Sequence, residues 1–324
     1  MLTVFVEEQE KLKAYEISGA DLPPKCVWID LLHPTRDEEQ LVEAYLGLEV
    51  PTQEDMLEIE ASSRVYREGD ALFMTAILLA HTDTDSPQAA PVSFIYTERS
   101  LVTIRYSEPR SIQVFATRAQ RTAGTYHTGE AVLIALLEAI VDRTADILER
   151  LGLEIESLSR DLFEHEGPQR PRAREFHEIL RTIGQKGDLN GKARESLVSL
   201  GRVLTFLTQS LISNHASRDL RNRATTLSRD LNSLADHSSF LSNKFNFLLD
   251  GTLGMINIEQ NAIIKIFSVA AVVFLPPTLI ASIYGMNFRF MPELGWKIGY
   301  PVAIAVMVAS AIVPYWFFKR RGWL

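Results

Sequence analysis

The chain of 324 residues holds a single cysteine, Cys26. That count excludes an intrachain disulfide and leaves no thiolate cluster for metal chemistry. Its neighbours in CVWIDLL are apolar, so a buried and inert thiol is expected. Glycine-rich phosphate loops are missing as well: neither GxGxxG nor GxxxxGK occurs. The seven histidines, His33, His81, His127, His165, His177, His215 and His237, are scattered without HExxH or another close ligand spacing. No Ser/His/Asp or Cys/His arrangement is legible, so nothing in the sequence asks for an enzyme. The net charge of −8 gives no basic footprint of the kind that nucleic-acid binders carry. The arginine-rich stretch from Arg170 to Arg181 is interleaved with Glu175 and Glu178 and reads as a solvated helix face. The N-terminal MLTVFVEEQEKLKAY has neither a basic n-region nor a long apolar core, so it does not read as a signal peptide. The bulk of the chain is expected in the cytosol.

The most informative scarcity is of charge after about residue 260. Two apolar runs stand there, 263–284 and 298–318. Each is close to the ~20 residues that cross ~30 Å of hydrocarbon. Lys265 lies at the cytosolic end of the first run, where its head can snorkel. The second ends in Lys319, Arg320 and Arg321, three consecutive bases that mark a cytoplasmic edge. The spans must then be antiparallel, with both termini inside and residues 286–297 outside. Tyr284, Phe288, Phe290, Trp296 and Tyr300 gather at the outer edge, and Tyr315, Trp316 and Trp323 at the inner one, as an aromatic belt requires.

The earlier sequence is mixed. LTVFV (2–6), CVWIDL (26–31), RVYRE (64–68), ALFMTAILLA (71–80), VSFIY (92–96) and SLVTIRY (100–106) read as strands. HPTRDEEQLVEAYLG (33–47) and PTQEDMLEIEAS (51–62) read as helices, the first closed by Gly47. From 131 to 163 apolar residues step by three and four without proline, which predicts eight or nine helical turns. EHEGPQRP (164–171) reads as a turn and HEILRTIG (177–184) resumes the period. GQKGDLNG (184–191) is expected to break it before two further long helices, and the last of these runs into the first span without a stop signal.

Within that span Asn261, Ile264, Ser268, Ala271, Leu275, Thr278, Ser282 and Gly285 recur by alternating threes and fours. They are small or polar, with aliphatics at 264 and 275, while the residues between them are larger and greasier. Such a stripe suits a water-filled pore. It suits tight helix–helix packing equally well. Two spans cannot enclose a channel, so the pore alternative needs several copies around an axis, each stripe residue becoming a ring. The rings hold hydroxyls, amides and aliphatics but no carboxylate, which suits an ion that keeps its waters, as Mg²⁺ does. Gly285-Met286-Asn287 would form the mouth: Gly285 allows close approach and an unusual backbone angle, helix carbonyls point outward, and Asn287 adds amide oxygens. Leu275 with Ile264 would make an apolar constriction that gates by dewetting. Pro276-Pro277 just beyond it is either a bend or a tolerated kink without a gating role.

YGMNF (284–288), followed by MPEL (291–294) and a second span ending in bases, resembles the CorA magnesium/cobalt transporter family. The resemblance covers the whole chain, and 256–282 is similar to the enterobacterial-type branch. It implies a funnel-shaped homopentameric channel in the bacterial inner membrane, for Mg²⁺ and also Co²⁺ and Ni²⁺, with no organic cofactor and both termini cytoplasmic. The implied organisation is an α+β cytosolic domain over 1–128 and a cytosolic long-helix region over 129–250. The inner pore helix and first span follow over 251–285, then a periplasmic loop over 286–297, a second span over 298–318 and a basic tail over 319–324. Gly285, Met286 and Asn287 fall on the selectivity motif and Asn261 on an inner polar ring. Ile264, Leu275, Thr278 and Ser282 fall on pore-lining positions, and Met291, Pro292, Glu293 and Leu294 form the loop around the mouth. The family is gated by Mg²⁺ held between neighbouring cytosolic domains by acids. LEIEAS (57–62) is similar to that sensor segment, with Leu57 where an acid is expected and Glu58 in place of Asp; Asp230, with Asp219 and Asp236 as rivals, is the candidate partner. A zinc transporter of the same superfamily and a non-conducting membrane-anchored sensor are the alternatives.

Overall fold

A computed structural model describes all residues except 18, 20, 85, 99, 165–172, 214–216, 288, 290 and 323–324. The chain forms two compact units, Met1–Leu248 and Leu249–Leu324. Seven strands of the first unit make one sheet: β1 (Leu2–Glu8), β2 (Lys11–Ile17), β3 (Cys26–Leu32), β4 (Val65–Glu68), β5 (Ala71–Ala80), β6 (Gln88–Tyr96) and β7 (Leu101–Arg105). Their order is β2-β1-β3-β7-β6-β5-β4, and only β3 and β7 run parallel. The mixed sheet is as expected, but β2 carries no strong apolar alternation to announce it. Its register is set by a two-residue turn, Gln9-Glu10, with φ of 53° and 64°. Two left-handed residues in a row suit the twist of a hairpin, though Asn-Gly would adopt it at less cost.

Helices cover both faces of the sheet. On one face α1 (Arg36–Leu46) and α2 (Gln53–Leu57) pack over Val4, Ile29, Leu31, Phe73, Val102 and Ile104. Both begin with a capping box, Thr35 with Glu38 and Thr52 with Asp55. The expected helix over 51–62 is therefore two: α2 ends at Leu57, residues 58–60 are not helical, and α3 spans Ala61–Arg64. Glu58 takes an extended backbone, φ −56° and ψ 138°, which ends the helix.

On the other face lie α4 (Arg110–Arg121), α5 (Gly129–Phe163) and α6 (Ala173–Ser213). Phe5 stacks on Trp28 at 4.1 Å, and Phe115 of α4 meets Trp28 from the helical layer at 5.7 Å. Gly129 begins α5 against the start of β7, where a Cβ would lie 2.7 Å from the Leu101 nitrogen. Strand β5 outruns its neighbour β4, leaving the Ile77 amide without a strand partner. The Ser199 hydroxyl of α6 accepts from Ile77 N–H at 2.8 Å and so closes that edge.

The predicted break at 184–191 does not occur: α6 runs through it. No proline stands there, and Asn190 is 1% exposed. Its amide nitrogen donates to the Ser238 carbonyl at 3.0 Å and the Ser242 hydroxyl at 2.8 Å of the next helix, α7 (Arg218–Tyr284). Tertiary packing thereby outweighs the ~1 kcal/mol that each of Gly184, Gly187 and Gly191 costs a helix. The expected turn at 164–171 falls, past Glu164, outside the described residues.

The second unit holds the end of α7, a 3₁₀ turn at Pro292–Gly295 and α8 (Gly299–Arg320). Both α7 and α8 contain an apolar stretch long enough to span a membrane, and 6% of each such stretch is buried.

Candidate functional site

Among the described residues of the first span, those sheltered from solvent are Val269, Ala270, Val273, Pro276, Pro277 and Ile280. They share one face of α7. The sheltered residues of α8 are Gly299, Ala303, Met307, Ser310, Ala311, Pro314 and Phe318, again one stripe and a mostly small one. Small residues at i and i+4 are what close packing in a membrane calls for.

Asn261, Ile264, Ser268, Ala271, Leu275, Thr278, Ser282 and Gly285 are all exposed. At 100° per residue, the centre of the 264–282 stretch of this stripe lies about 180° from the centre of the sheltered face. The small and polar stripe is thus exposed and lies away from the face that the described residues shelter. Ile264 and Leu275 stand 61% and 65% exposed within it. Phe267, Phe274, Val272 and Ile283 flank it with bulk suited to lipid or to another copy.

The polar members of the stripe are not equivalent. Thr278 donates its hydroxyl proton to the Phe274 carbonyl at 2.7 Å. Its oxygen lone pairs are what remain for water. The two prolines remove the N–H groups that would have met the carbonyls of Val272 and Val273.

At the mouth, Gly285 N–H donates to Ala281 C=O at 3.0 Å, and Met286 N–H reaches back three residues to Ile283 C=O at 3.2 Å. Gly285 does not take the unusual angle that glycine allows: among the described residues the left-handed glycines are Gly47, Gly69, Gly124 and Gly322. The last turn tightens rather than reversing hand, so Gly285 supplies space instead: a Cβ would sit 3.2 Å from the Ala281 carbonyl oxygen. Met286 and Asn287 are exposed, and no described residue hydrogen-bonds the Asn287 amide. Phe288 and Phe290 lie outside the described residues, as does Trp323.

Beyond the mouth, Pro292 opens the 3₁₀ turn and Trp296 N–H closes it on the Glu293 carbonyl at 3.3 Å. Met291 and Glu293 are half-buried and Pro292 is exposed; the Leu294 backbone lies in the turn. Sequence reasoning missed Gly299, where a Cβ would stand 2.5 Å from the Glu293 carbonyl oxygen. At the other end of α8 the Arg320 guanidinium lies 3.6 Å from the Trp316 ring centre and Arg321 lies 5.3 Å from Phe317. Those contacts lay two bases of the tail over aromatic rings of the last turns of α8, and Lys319 completes the basic run.

The four acids of the expected regulatory site are not brought together within one chain. Glu58, Asp219, Asp230 and Asp236 are each exposed, and no group of three metal-ligating side chains occurs among the described residues. Asp230 also lies near enough to α5 to act, with Glu138 and Asp146, on the Asp142 carboxyl, a cluster that the sequence reading passed over. Partial burial, then Glu138, Asp146 and Asp230, push the Asp142 carboxyl above its ordinary range, against Arg118. The i, i+4 spacing of 138, 142 and 146 is the signal that was available.

The family described as CorA-like Mg²⁺ transporter protein matches residues 24–320. A magnesium transport protein CorA from Salmonella typhimurium is 36% identical over the full length of both chains. That from Escherichia coli K12 is 36% identical, again over the full length of both. The complete CorA magnesium transporter structure from Methanocaldococcus jannaschii is similar in fold, with TM-score 0.77 at 20% identity over 100% of this chain and 99% of that one. An α+β domain, long helices, two apolar C-terminal helices and a Gly-Met-Asn turn between them thus coincide with full-length sequence identity: the chain belongs to the CorA-like Mg²⁺ transporter family, a family of transporters and not of enzymes.

Proposed function

We propose that five copies of this chain surround an axis in the bacterial inner membrane and conduct Mg²⁺ inward, with Co²⁺ and Ni²⁺ as further substrates. The observation that carries the proposal is the opposition of the two faces of α7. One face is sheltered within the chain, and the opposite face is small, polar and free. Turned inward in a ring, Ser268, Thr278, Ser282 and Asn261 present neutral oxygens to water, and Ala271 leaves width. Ile264 and Leu275 form apolar rings that close by dewetting.

No carboxylate lines this path. A dication inside it is held through its water shell, which Mg²⁺ surrenders reluctantly. Selection falls to Gly285, Met286 and Asn287, where helix-end carbonyls and the ring of Asn287 amides meet the hydrated ion. Glu293 raises the local cation concentration, and the basic tail Lys319–Arg321 fixes both termini on the cytoplasmic side. Gating by internal Mg²⁺ uses acids of neighbouring copies, since one chain does not gather them: Glu58 from one copy, and Asp230, Asp219 or Asp236 from the next. Loss of the ion leaves like charges facing each other and loosens the closed arrangement.

The test is flux. Purified protein in liposomes held inside-negative is expected to take up Mg²⁺, with Co²⁺, Ni²⁺ and Zn²⁺ assayed in parallel. Asn287→Ala is expected to abolish uptake at unchanged assembly mass. Absence of flux from the wild type overturns the channel in favour of a sensor. Preference for Zn²⁺ reassigns the substrate, and normal flux through the variant removes Asn287 from selection.

A further inference from the structure

Between Lys265 and Lys319 the chain carries three formal charges, Arg289, Glu293 and Lys297, all on the segment that links the two apolar helices. Two bases against one acid leave that link at +1, although the whole chain stands at −8. No acid follows Glu293 in the sequence, so nothing downstream balances the bases. Arg289 and Lys297 are exposed, and among the described residues neither forms an ion pair with Glu293. Unpaired charge of this kind acts at a distance rather than by contact.

The backbone keeps these charges near the mouth. Arg289 stands two residues from Asn287, which limits their Cα separation to about 7 Å. Glu293 sits in the 3₁₀ turn that Trp296 N–H closes, and its carbonyl oxygen is the atom that leaves no room for a Cβ at Gly299. The acid's backbone is thereby tied to the start of α8 and its residue is half-buried, while Arg289 stands free in water. Along the chain, the charge nearest to the Gly-Met-Asn turn is therefore positive.

We propose that Arg289 and Lys297 ring the outer mouth as an electrostatic barrier that sets how much external Mg²⁺ uptake requires. The proposal rests on the channel reading above, which gathers several copies of this loop around one axis. Each copy then adds two positive charges and one negative, so the ring becomes more positive with every subunit. Glu293 raises the cation concentration relative to a loop without it, but the two bases outweigh it. Neutral oxygens of the Gly-Met-Asn turn hold the hydrated ion at close range, whereas the barrier acts on any approaching dication alike. Selection at Asn287 and access past Arg289 are thus separate: the bases raise the concentration for half-maximal uptake without choosing among Mg²⁺, Co²⁺ and Ni²⁺.

The test uses the full-length protein in liposomes of zwitterionic phosphatidylcholine, whose surface adds no net charge, held inside-negative. Mg²⁺ uptake is followed over external concentration at ionic strengths of about 0.01 M and about 0.15 M, set with N-methyl-D-glucamine chloride, where charge is screened over about 30 Å and about 8 Å. Added salt is expected to lower the half-saturating Mg²⁺ concentration of the unaltered protein, because it screens a repulsion. At the lower salt, Arg289→Gln is expected to lower that concentration about threefold or more and Arg289→Glu about tenfold or more, while Arg289→Lys leaves it in place. Arg289→Glu also turns the loop to −1, so its response to salt is expected to reverse. A half-saturating concentration that the Gln and Glu variants leave unchanged, or that rises with salt in the unaltered protein, overturns the barrier and leaves the channel reading standing. Arg289→Lys failing along with Arg289→Gln makes Arg289 a structural contact and also overturns the barrier. No uptake by the unaltered protein at any Mg²⁺ concentration overturns the channel reading itself.

Discussion

Replacing Arg105 by methionine would strand a carboxylate in the middle of the sheet. The side chains of Arg105 and Asp30 are 5% and 7% exposed and meet in a two-pronged contact, Nε to Oδ1 at 3.1 Å and Nη2 to Oδ2 at 2.8 Å. Arg105 also donates to the Ser107 carbonyl at 3.0 Å, and Thr103 donates to Asp30 at 2.6 Å while accepting from the Trp28 ring nitrogen at 2.9 Å. A surface pair of this kind contributes at most about 1 kcal/mol. Breaking a buried one costs 3–5 kcal/mol, because the remaining charge has neither partner nor water. Asp30 keeps Thr103, which puts the expected cost of Arg105→Met at about 3 kcal/mol. Removing both charges with Asp30→Leu is expected to bring the double variant back to within about 1 kcal/mol of wild type, a coupling of about 2 kcal/mol or more. Trp28 is the reporter: it is fully buried, and the other three tryptophans, at 296, 316 and 323, lie beyond Leu248 and can be changed to phenylalanine. In urea, with a slope of about 2 kcal/mol/M, the single substitution moves the Trp28 midpoint down by about 1.5 M. A shift under about 0.5 M, or additive single and double variants, would refute the reasoning.

Gly299→Ala places a methyl group 2.5 Å from the Glu293 carbonyl oxygen, so the loop must give way. Mg²⁺ uptake is expected to fall at unchanged expression, and normal uptake removes the loop's role in holding the mouth. Asp83, tied to Arg150, Arg110 and Arg143, is held down at about 2, the hydrogen bonds from Arg150 and then Arg110 being the main causes. A depressed carboxyl stabilises the fold above its unfolded value near 3.8 and loses that contribution as pH falls through 2. Its side chain is 39% exposed, so solvent screening limits the contribution to about 1 kcal/mol. Asp83→Asn is expected to lower stability at pH 7 by that amount and to flatten its fall between pH 4 and 2 in thermal unfolding; an unchanged acid limb refutes it.

The membrane half of the fold was legible because hydrocarbon imposes length, low charge and aromatic edges at once. Those constraints leave little freedom, and the Gly-Met-Asn turn between the spans needed only its neighbours to be recognised. Other elements were hidden for identifiable reasons. Strand β2 is an edge strand whose order comes from pairing with β1, and its Gln-Glu turn lacks the usual residues. Helix α4 starts at Pro109 with no side-chain cap, so its start carried no signal. Gly184, Gly187 and Gly191 of α6 looked like a break because the partners of Asn190 lie 48 and 52 residues away. The stripe along α7 was visible from spacing alone. Whether it packed or stayed free was not, since that depends on which other face the fold shelters.

The double proline gains a direction from its place on the sheltered face. A proline ring presses on the carbonyl one turn earlier, so a helix yields by leaning away from the ring. Pro276 and Pro277 lie about opposite the small and polar stripe, so the lean is toward that stripe. With that stripe turned to the axis, as proposed, the flexure would be radial instead of sideways. In a ring of copies, the same small flexure at every subunit would add up as a change in bore, and none of it would be spent on sliding one subunit past another.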